Sequence, residues 1–93
     1  MTAYFAVVEK EPGSDYGVFF PDHPGCVTAG TDFNQAYAWA HEVLALHLDG
    51  ERPETLPRPS TLAEIETNDI YRMAKDNVVA VILVSLDERA LAA

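Results

Sequence analysis

The residues best suited to chemistry lie in one short stretch, residues 19–30, which reads FFPDHPGCVTAG. His23 precedes Cys26, the single cysteine of the chain, by three residues, and prolines and glycines surround both. A thiolate beside a histidine base would be a nucleophile, and a histidine and cysteine pair could supply half of a zinc site. The same prolines and glycines also predict an ordinary turn that leads into a strand.

The turn is the preferred interpretation, because the chain supplies few partners for a reactive pair. Zinc needs three or four ligands, and the other imidazoles, His41 and His47, lie six residues apart on a predicted helix and so point roughly opposite ways. The apolar residues around Cys26 predict a small buried strand residue. We therefore expect Cys26 in the core, His23 exposed in the loop, no metal and no catalytic residue.

Three aspartates offer a second kind of chemistry. Asp15, Asp22 and Asp32 fall near predicted strand ends and loops, where paired carboxylates could hold magnesium for phosphoryl chemistry. No lysine- or glycine-rich phosphate cradle accompanies them, and aspartate is common at turns and helix caps. A metal-dependent nuclease is therefore the alternative and not the leading hypothesis.

The elements that position these residues begin with three short strands. Apolar, β-branched and aromatic runs alternate with the turn-forming clusters KEPGSD and PDHPG, which predicts a meander. The predicted strands cover residues 3–9, 16–20 and 26–30.

A helix is predicted from Asp32 to Asp49, because apolar residues recur there at spacings of three and four. Either Thr31 or Asp32 can serve as its N-cap, and Gly50 supplies the stop signal. The apolar stripe is expected to face the sheet; its members are Phe33, Ala36, Tyr37, Ala40, Val43, Leu44, His47 and Leu48.

The second half of the chain is less regular until its last strand. A proline-rich connection over residues 50–62 precedes an acidic stretch, in which Ser60 or Thr61 opens one or two helical turns. Residues 77–87 are apolar on both faces, which is typical of a strand inside a sheet. After a helical crossover this strand is expected to lie parallel to the first, giving an α+β fold, β-β-β-α-β, with a mixed sheet in the order 3-2-1-4.

Chain length and net charge limit the number of domains and the classes of binding partner. The 93 residues suit a single domain, residues 1–93. The net charge of −9, from 15 acidic and 6 basic residues, argues against direct nucleic-acid binding and favours a basic partner. One cysteine, no signal peptide and no apolar run of membrane-spanning length predict a cytoplasmic protein without membrane contact.

Trp39 and Leu46 form a second, narrower apolar stripe on a flank of the predicted helix, with Gln35 and Glu42 beside them. This stripe can pack beneath the proline-rich connection or beneath the acidic stretch that follows it. It can also be exposed and bind a partner or a second copy of the chain, since tryptophan is enriched at binding hot spots.

Two groups of residues stand on either side of the predicted helix: first Tyr16, Gly17, Phe20, Pro21, Asp22, Pro24, Gly25, Cys26, Ala29 and Gly30, and then Leu56, Pro57, Pro59 and Ser60. In this order they resemble the HicB-like antitoxins of toxin-antitoxin operons. The resemblance implies a degenerate RNase-H-like domain that binds a HicA toxin, a small basic ribonuclease that cleaves mRNA, and covers its RNA-binding surface and catalytic histidine.

The leading hypothesis is therefore a non-enzymatic antitoxin of a type II system, without a cofactor, and a homo-oligomer is a further expectation. Its expected toxin contacts are electrostatic at Asp22, Glu42 and Asp49 and apolar at Trp39 and Leu46. Family members usually continue into a DNA-binding segment, which we expect this chain to lack. Its last residues, DERALAA, read as the start of a further element.

Overall fold

The computed structural model describes residues 2–86; the closing DERALAA segment lies outside them. Within that part of the chain, four strands and three α-helices follow one another, with 3₁₀ turns at Pro53–Thr55 and Lys75–Asn77. The elements are β1 (Thr2–Lys10), β2 (Tyr16–Phe19), β3 (Val27–Gly30), α1 (Phe33–His47), α2 (Leu62–Thr67), α3 (Asp69–Ala74) and β4 (Val78–Leu86).

The four strands form one sheet in the order β3-β2-β1-β4, as predicted. The predicted parallel pairing of the last strand is wrong, since β4 runs antiparallel to β1, with Val78 beside Glu9 and Leu86 beside Thr2. The sheet is therefore antiparallel and not mixed. A parallel β4 would follow directly from the end of α1, but α2 and α3 carry the chain to the opposite end of the sheet first.

Helix α1 begins at an aspartate cap. The Asp32 side chain accepts a hydrogen bond from the Gln35 backbone N–H at 2.8 Å, while the Gln35 side chain accepts from the Thr31 N–H at 2.7 Å. Asp32, not Thr31, is thus the N-cap. The helix ends at His47, and Gly50 follows with φ of 85°, a left-handed conformation that glycine adopts without strain.

The main core lies between α1 and one face of the sheet. Ala36, Ala40 and Leu44 are fully buried along α1, but Tyr37 and His47, predicted in the same stripe, are exposed. The small alanines allow a close approach. At the end of β3, a Cβ on Gly30 would lie 2.4 Å from the Ala36 backbone nitrogen, so only glycine fits there.

The other face of the sheet is only partly covered. Strand alternation turns Tyr4, Ala6 and Val8 towards α1 and therefore turns Val7 away from it, yet Val7 is fully buried. Helices α2 and α3 connect to β4. They confirm the short helical turns predicted in the acidic stretch. Both edges of this face nevertheless leave apolar side chains exposed, at Val27 of β3 and Leu83 of β4.

Candidate functional site

The loop over residues 20–26 folds inward instead of presenting its histidine to solvent. His23 is only 5% exposed, so the prediction of an exposed loop residue is wrong. The loop closes on its own backbone, because the His23 N–H donates to the Phe20 carbonyl and the Cys26 N–H donates to the His23 carbonyl. Gly25, with φ of 87°, allows that tight reversal, which places the His23 ring edge-on against Tyr4 at 4.3 Å between centroids.

The buried imidazole of His23 is held as a neutral ring. Its Nε2 has no hydrogen-bond partner among the described residues, and the ring of His47 lies 5.9 Å away between centroids. Burial lowers the pKa of His23 below 6.5, and the nearby His47 lowers it further. His23 therefore fills the space beneath the loop as an apolar side chain would, and it is poorly placed to act as a base towards solvent.

Cys26 is buried in the core, as predicted. Burial raises the pKa of its thiol to about 11, so very little thiolate is present at neutral pH. Its Sγ lies 3.8 Å from the Val43 carbonyl oxygen, inside the α1 packing. Within residues 2–86, no group of three histidine, cysteine, aspartate or glutamate side chains is arranged to hold a metal ion.

Asp22 ties two distant parts of the chain together. Its carboxylate accepts hydrogen bonds from the Ser60 backbone N–H at 2.8 Å and from the Ser60 hydroxyl at 2.5 Å. Three residues before Ser60, the Pro57 carbonyl accepts a hydrogen bond of 2.6 Å from the Tyr4 hydroxyl. These three hydrogen bonds fasten the proline-rich connection to β1 and to the loop over residues 20–26, so the structure gives Asp22 a role inside the fold that the sequence did not suggest.

The remaining predicted contact residues lie together on α1 and at its end. Trp39, Glu42, Leu46 and Asp49 follow one another at spacings of three, four and three residues, and we call them the α1 stripe. All four are exposed, with Trp39 at 44% and Leu46 at 70%. Neither the proline-rich connection nor the acidic stretch buries them. Of the two possibilities left open by the sequence, the structure favours an exposed surface.

A second surface was missed by sequence reasoning. Between α3 and the sheet lies a cleft of about 400 Å³, lined by Glu9, Glu11, Phe19, Ile70 and Met73 with Ala74 and Asn77. We call it the α3 cleft. Met73 is 87% exposed at its rim. The only signal in the sequence was the weak periodicity of the acidic stretch, since Glu9 and Glu11 come from a strand and loop some sixty residues earlier.

Comparison with known proteins shows the family of the chain. The model of the HicB-like antitoxin family of bacterial toxin-antitoxin systems matches residues 4–92. The chain belongs to this family. The crystal structure of the Burkholderia pseudomallei antitoxin HicB is similar, with a TM-score of 0.73 and 29% identity, and the match covers 99% of this HicB-like chain and 68% of that one.

Two further structures resemble this HicB-like antitoxin. The N-terminal domain of the Burkholderia pseudomallei antitoxin HicB gives a TM-score of 0.68 at 29% identity, with 92% of this chain and 99% of that one covered. A toxin-antitoxin complex from Streptococcus pneumoniae gives 0.70 at 24% identity over 98% and 73%, and shows the fold alone. No curated protein matches the sequence significantly. No described helix is long and apolar enough to cross a membrane.

Proposed function

We propose that this HicB-like antitoxin neutralises a small, basic, HicA-like toxin that cleaves mRNA, and that the α1 stripe is the contact surface. The observation that carries the proposal is an exposed tryptophan and leucine that alternate with two carboxylates along one side of a helix, in a family member of net charge −9. It acts by binding and carries out no reaction of its own.

The stripe combines the two kinds of contact that a basic partner requires. Trp39 and Leu46 offer exposed apolar area on the α1 stripe, and large apolar side chains such as tryptophan are common among interface hot spots. Glu42 and Asp49 lie beside them and are exposed, so their carboxylates can take the place of RNA phosphates before a basic toxin surface. Asp22 is a weaker candidate for direct contact, because Ser60 occupies both of its carboxylate oxygens.

The loop chemistry supports a binding function. His23 is buried and uncharged near neutral pH, and the Cys26 thiol has a raised pKa. Neither group is prepared for nucleophilic or acid-base catalysis. We expect the protein to act in the cytoplasm, where its toxin would meet mRNA.

The experiment coexpresses the chain with the toxin encoded beside its gene and measures growth and copurification. Wild type should rescue growth and form a complex that weakens as salt rises, because carboxylates meet a basic surface. Glu42→Lys should abolish growth rescue, and it should prevent copurification of the toxin at about 0.15 M salt. Glu11→Lys is the matched control, since it makes the same charge change at the α3 cleft on the other side of the sheet.

Each result has a distinct meaning. If wild type neither rescues growth nor forms a complex at low salt, the proposed function is wrong. If Glu11→Lys abolishes binding and Glu42→Lys does not, the toxin lies on the α3 cleft and the α1 stripe is not the contact. If Trp39→Arg converts a dimer into a monomer in sedimentation without affecting rescue, the stripe serves self-association.

A further inference from the structure

The α3 cleft contains two carboxylates that no basic side chain pairs with. Glu9 and Glu11 line it, and no lysine or arginine is among its other lining residues. Neither glutamate forms an ion pair with any residue within residues 2–86. Lys10 lies between them in sequence, but its Nζ donates to the Glu11 backbone carbonyl and lies 5.7 Å from the centroid of the Tyr16 ring, which packs against the main core. Both carboxylates are therefore available to a ligand.

The Glu9 side chain lies over the neighbouring strand. Glu9 is paired with Gly17 of β2, and a Cβ on Gly17 would lie 3.5 Å from Glu9 Cγ and 3.6 Å from Glu9 Oε1. Glycine at residue 17 thus makes room for this carboxylate. Phe19 lies on the same side of β2, two residues along, and also lines the cleft. A carboxylate and an aromatic side chain therefore face the same space.

The rest of the cleft is mostly apolar. Phe19 contributes to it from β2, and Ile70, Met73 and Ala74 contribute from α3. Ile70 is 50% exposed and Met73 is 87% exposed, so both side chains can contact a ligand. The volume of about 400 Å³ lies within the range of small-molecule sites. The cleft therefore offers apolar surface and two anionic groups to one small ligand.

Aliphatic ammonium ions match this combination of groups. Their charged nitrogen atoms donate hydrogen bonds to carboxylates, while their methylene groups favour contact with apolar surface. An aromatic ring such as that of Phe19 also attracts a cation placed over its face. Magnesium, in contrast, requires an octahedral set of oxygen ligands and gains nothing from Ile70 or Met73. The lining of the cleft therefore favours an organic cation over a metal ion.

We propose that the α3 cleft binds small linear polyamines. Glu9 and Glu11 lie two residues apart at the end of β1, which corresponds to roughly 7 Å in an extended chain. A short run of methylene groups with an ammonium at each end can pair with both carboxylates and lie against Met73. The cleft and the α1 stripe share no residue, so binding of the polyamine requires no toxin.

Methyl NMR of the isolated 93-residue chain tests the proposal, with spermidine as the probe. Titration in about 0.1 M NaCl should shift the methyl signals of Ile70 and Met73 and reach saturation, with a Kd of about 1 mM or below. Glu9→Gln and Glu11→Gln should each raise this Kd at least ~5-fold, because a charge-assisted contact is lost. The matched control is Glu66→Gln, the same change at an exposed α2 carboxylate outside the cleft, which should leave the Kd within about 2-fold of wild type.

Nonspecific attraction to a chain of net charge −9 is the main competing explanation for any shift. Mg²⁺ at about 5 mM should therefore leave the Ile70 and Met73 signals in place. The proposal is wrong if Mg²⁺ reproduces the spermidine shifts, if the shifts spread over the surface without saturating, or if Glu66→Gln weakens binding as much as Glu9→Gln does. The wild-type shifts decide the matter even where a glutamine variant folds poorly.

A protein could present the same ammonium groups on lysine side chains. The charge-matched probe is a trilysine peptide with blocked termini, which carries about three positive charges at pH 7, as spermidine does. Spermidine should bind at least as tightly, because a peptide backbone needs additional room in a cleft of about 400 Å³. Tighter binding of the peptide would make the cleft a protein contact and overturn the assignment. Since no toxin is present, a negative result here leaves the antitoxin function standing.

Discussion

The two faces of the sheet are built differently. On the α1 face, Ala36, Ala40 and Leu44 are fully inaccessible, and the helix approaches β3 so closely that only glycine fits at residue 30. On the opposite face, helices of six residues cover part of the sheet, leave a cleft beside Met73 and expose Leu83.

The difference suggests that one face of the sheet mainly stabilises the fold, while the other is available for binding. A closely packed face has no room for substitution, since interiors are packed as densely as organic crystals. A partly covered face keeps apolar area available for a second molecule. Helix α1 shows the same division on a smaller scale, because its sheet-facing side is buried while the α1 stripe is exposed to solvent. Substitutions should therefore act on stability or on association according to the side they occupy.

The largest effect is expected at the tightest point of the closed face. Gly30→Ala places a Cβ within 3 Å of the α1 backbone, so helix and strand must move apart, which should lower the free energy of unfolding by about 3 kcal/mol or more. Gly17→Ala is the control, because a Cβ there meets only the Glu9 side chain at 3.5 Å. Urea unfolding of both variants measures the difference; equal losses would refute the close-approach argument.

The next effect concerns the bond between the two halves of the chain. Asp22→Ala leaves the part-buried Ser60 N–H without its acceptor and should cost about 1–3 kcal/mol in unfolding free energy. Asp15→Ala, at an exposed position, should stay within about 0.5 kcal/mol of wild type. A double-mutant cycle with Ser60→Ala should show coupling, and additive effects would mean that the two residues do not interact in solution.

A smaller effect should depend on pH. The unfolded chain binds a proton at His23 near pH 6.5, but the folded chain binds it only at lower pH, because burial lowers the pKa. Stability linked to His23 is therefore complete above pH 6.5 and is lost as pH falls below it, by at most ~1.4 kcal/mol per pH unit. Besides His47, the facing charged groups are Asp22 and Glu51, which oppose the shift.

Thermal unfolding of wild type and His23→Leu between pH 7.5 and pH 5.5, about one unit either side of the reference value, checks this linkage. The leucine variant should lose less stability over that range. His41→Gln removes a histidine of α1 and should keep the wild-type dependence. An unchanged slope in His23→Leu would show that the imidazole does not control the acid response.

The smallest stability effect is expected on the α1 stripe. Leu46→Ser removes an apolar side chain that is already 70% exposed, so unfolding free energy should change by less than about 0.5 kcal/mol. Toxin affinity should nevertheless fall, because the lost area would lie within the interface. Calorimetric titration against the toxin, paired with denaturant unfolding, separates the two quantities. A large stability loss would place Leu46 in the fold and not in recognition.

Much of the fold could be predicted from local patterns. The meander, the main helix and the burial of Cys26 follow from turn residues, helical spacing and apolar content, which act over a few residues. The predicted strand order is also correct, although it was inferred from a parallel crossover that the chain does not make. The direction of β4 could not be predicted, because it depends on how far α2 and α3 carry the chain. Tyr37 was expected in the core stripe, but it lies at the stripe's margin and is exposed.

The candidate site was less predictable than the fold. His23 was expected outside because histidine between prolines usually marks an exposed turn, whereas the loop hydrogen bonds turn the ring inward against Tyr4. The hydrogen bond from Ser60 to Asp22 joins residues 38 positions apart, and no local sequence pattern predicts a contact at that separation. The α1 stripe could be found because its members share one helix. The α3 cleft joins residues that are distant in sequence.

The antiparallel course of β4 also brings the first and last described residues together. Thr2 and Leu86 are paired neighbours across adjacent strands, so the two ends of the described chain meet at one corner of the sheet. A short linker across that corner could join them, and new termini could be opened in the exposed loop beside Gly13. Such a circular permutant would keep every strand pairing while moving the ends of the polypeptide to the other end of β1.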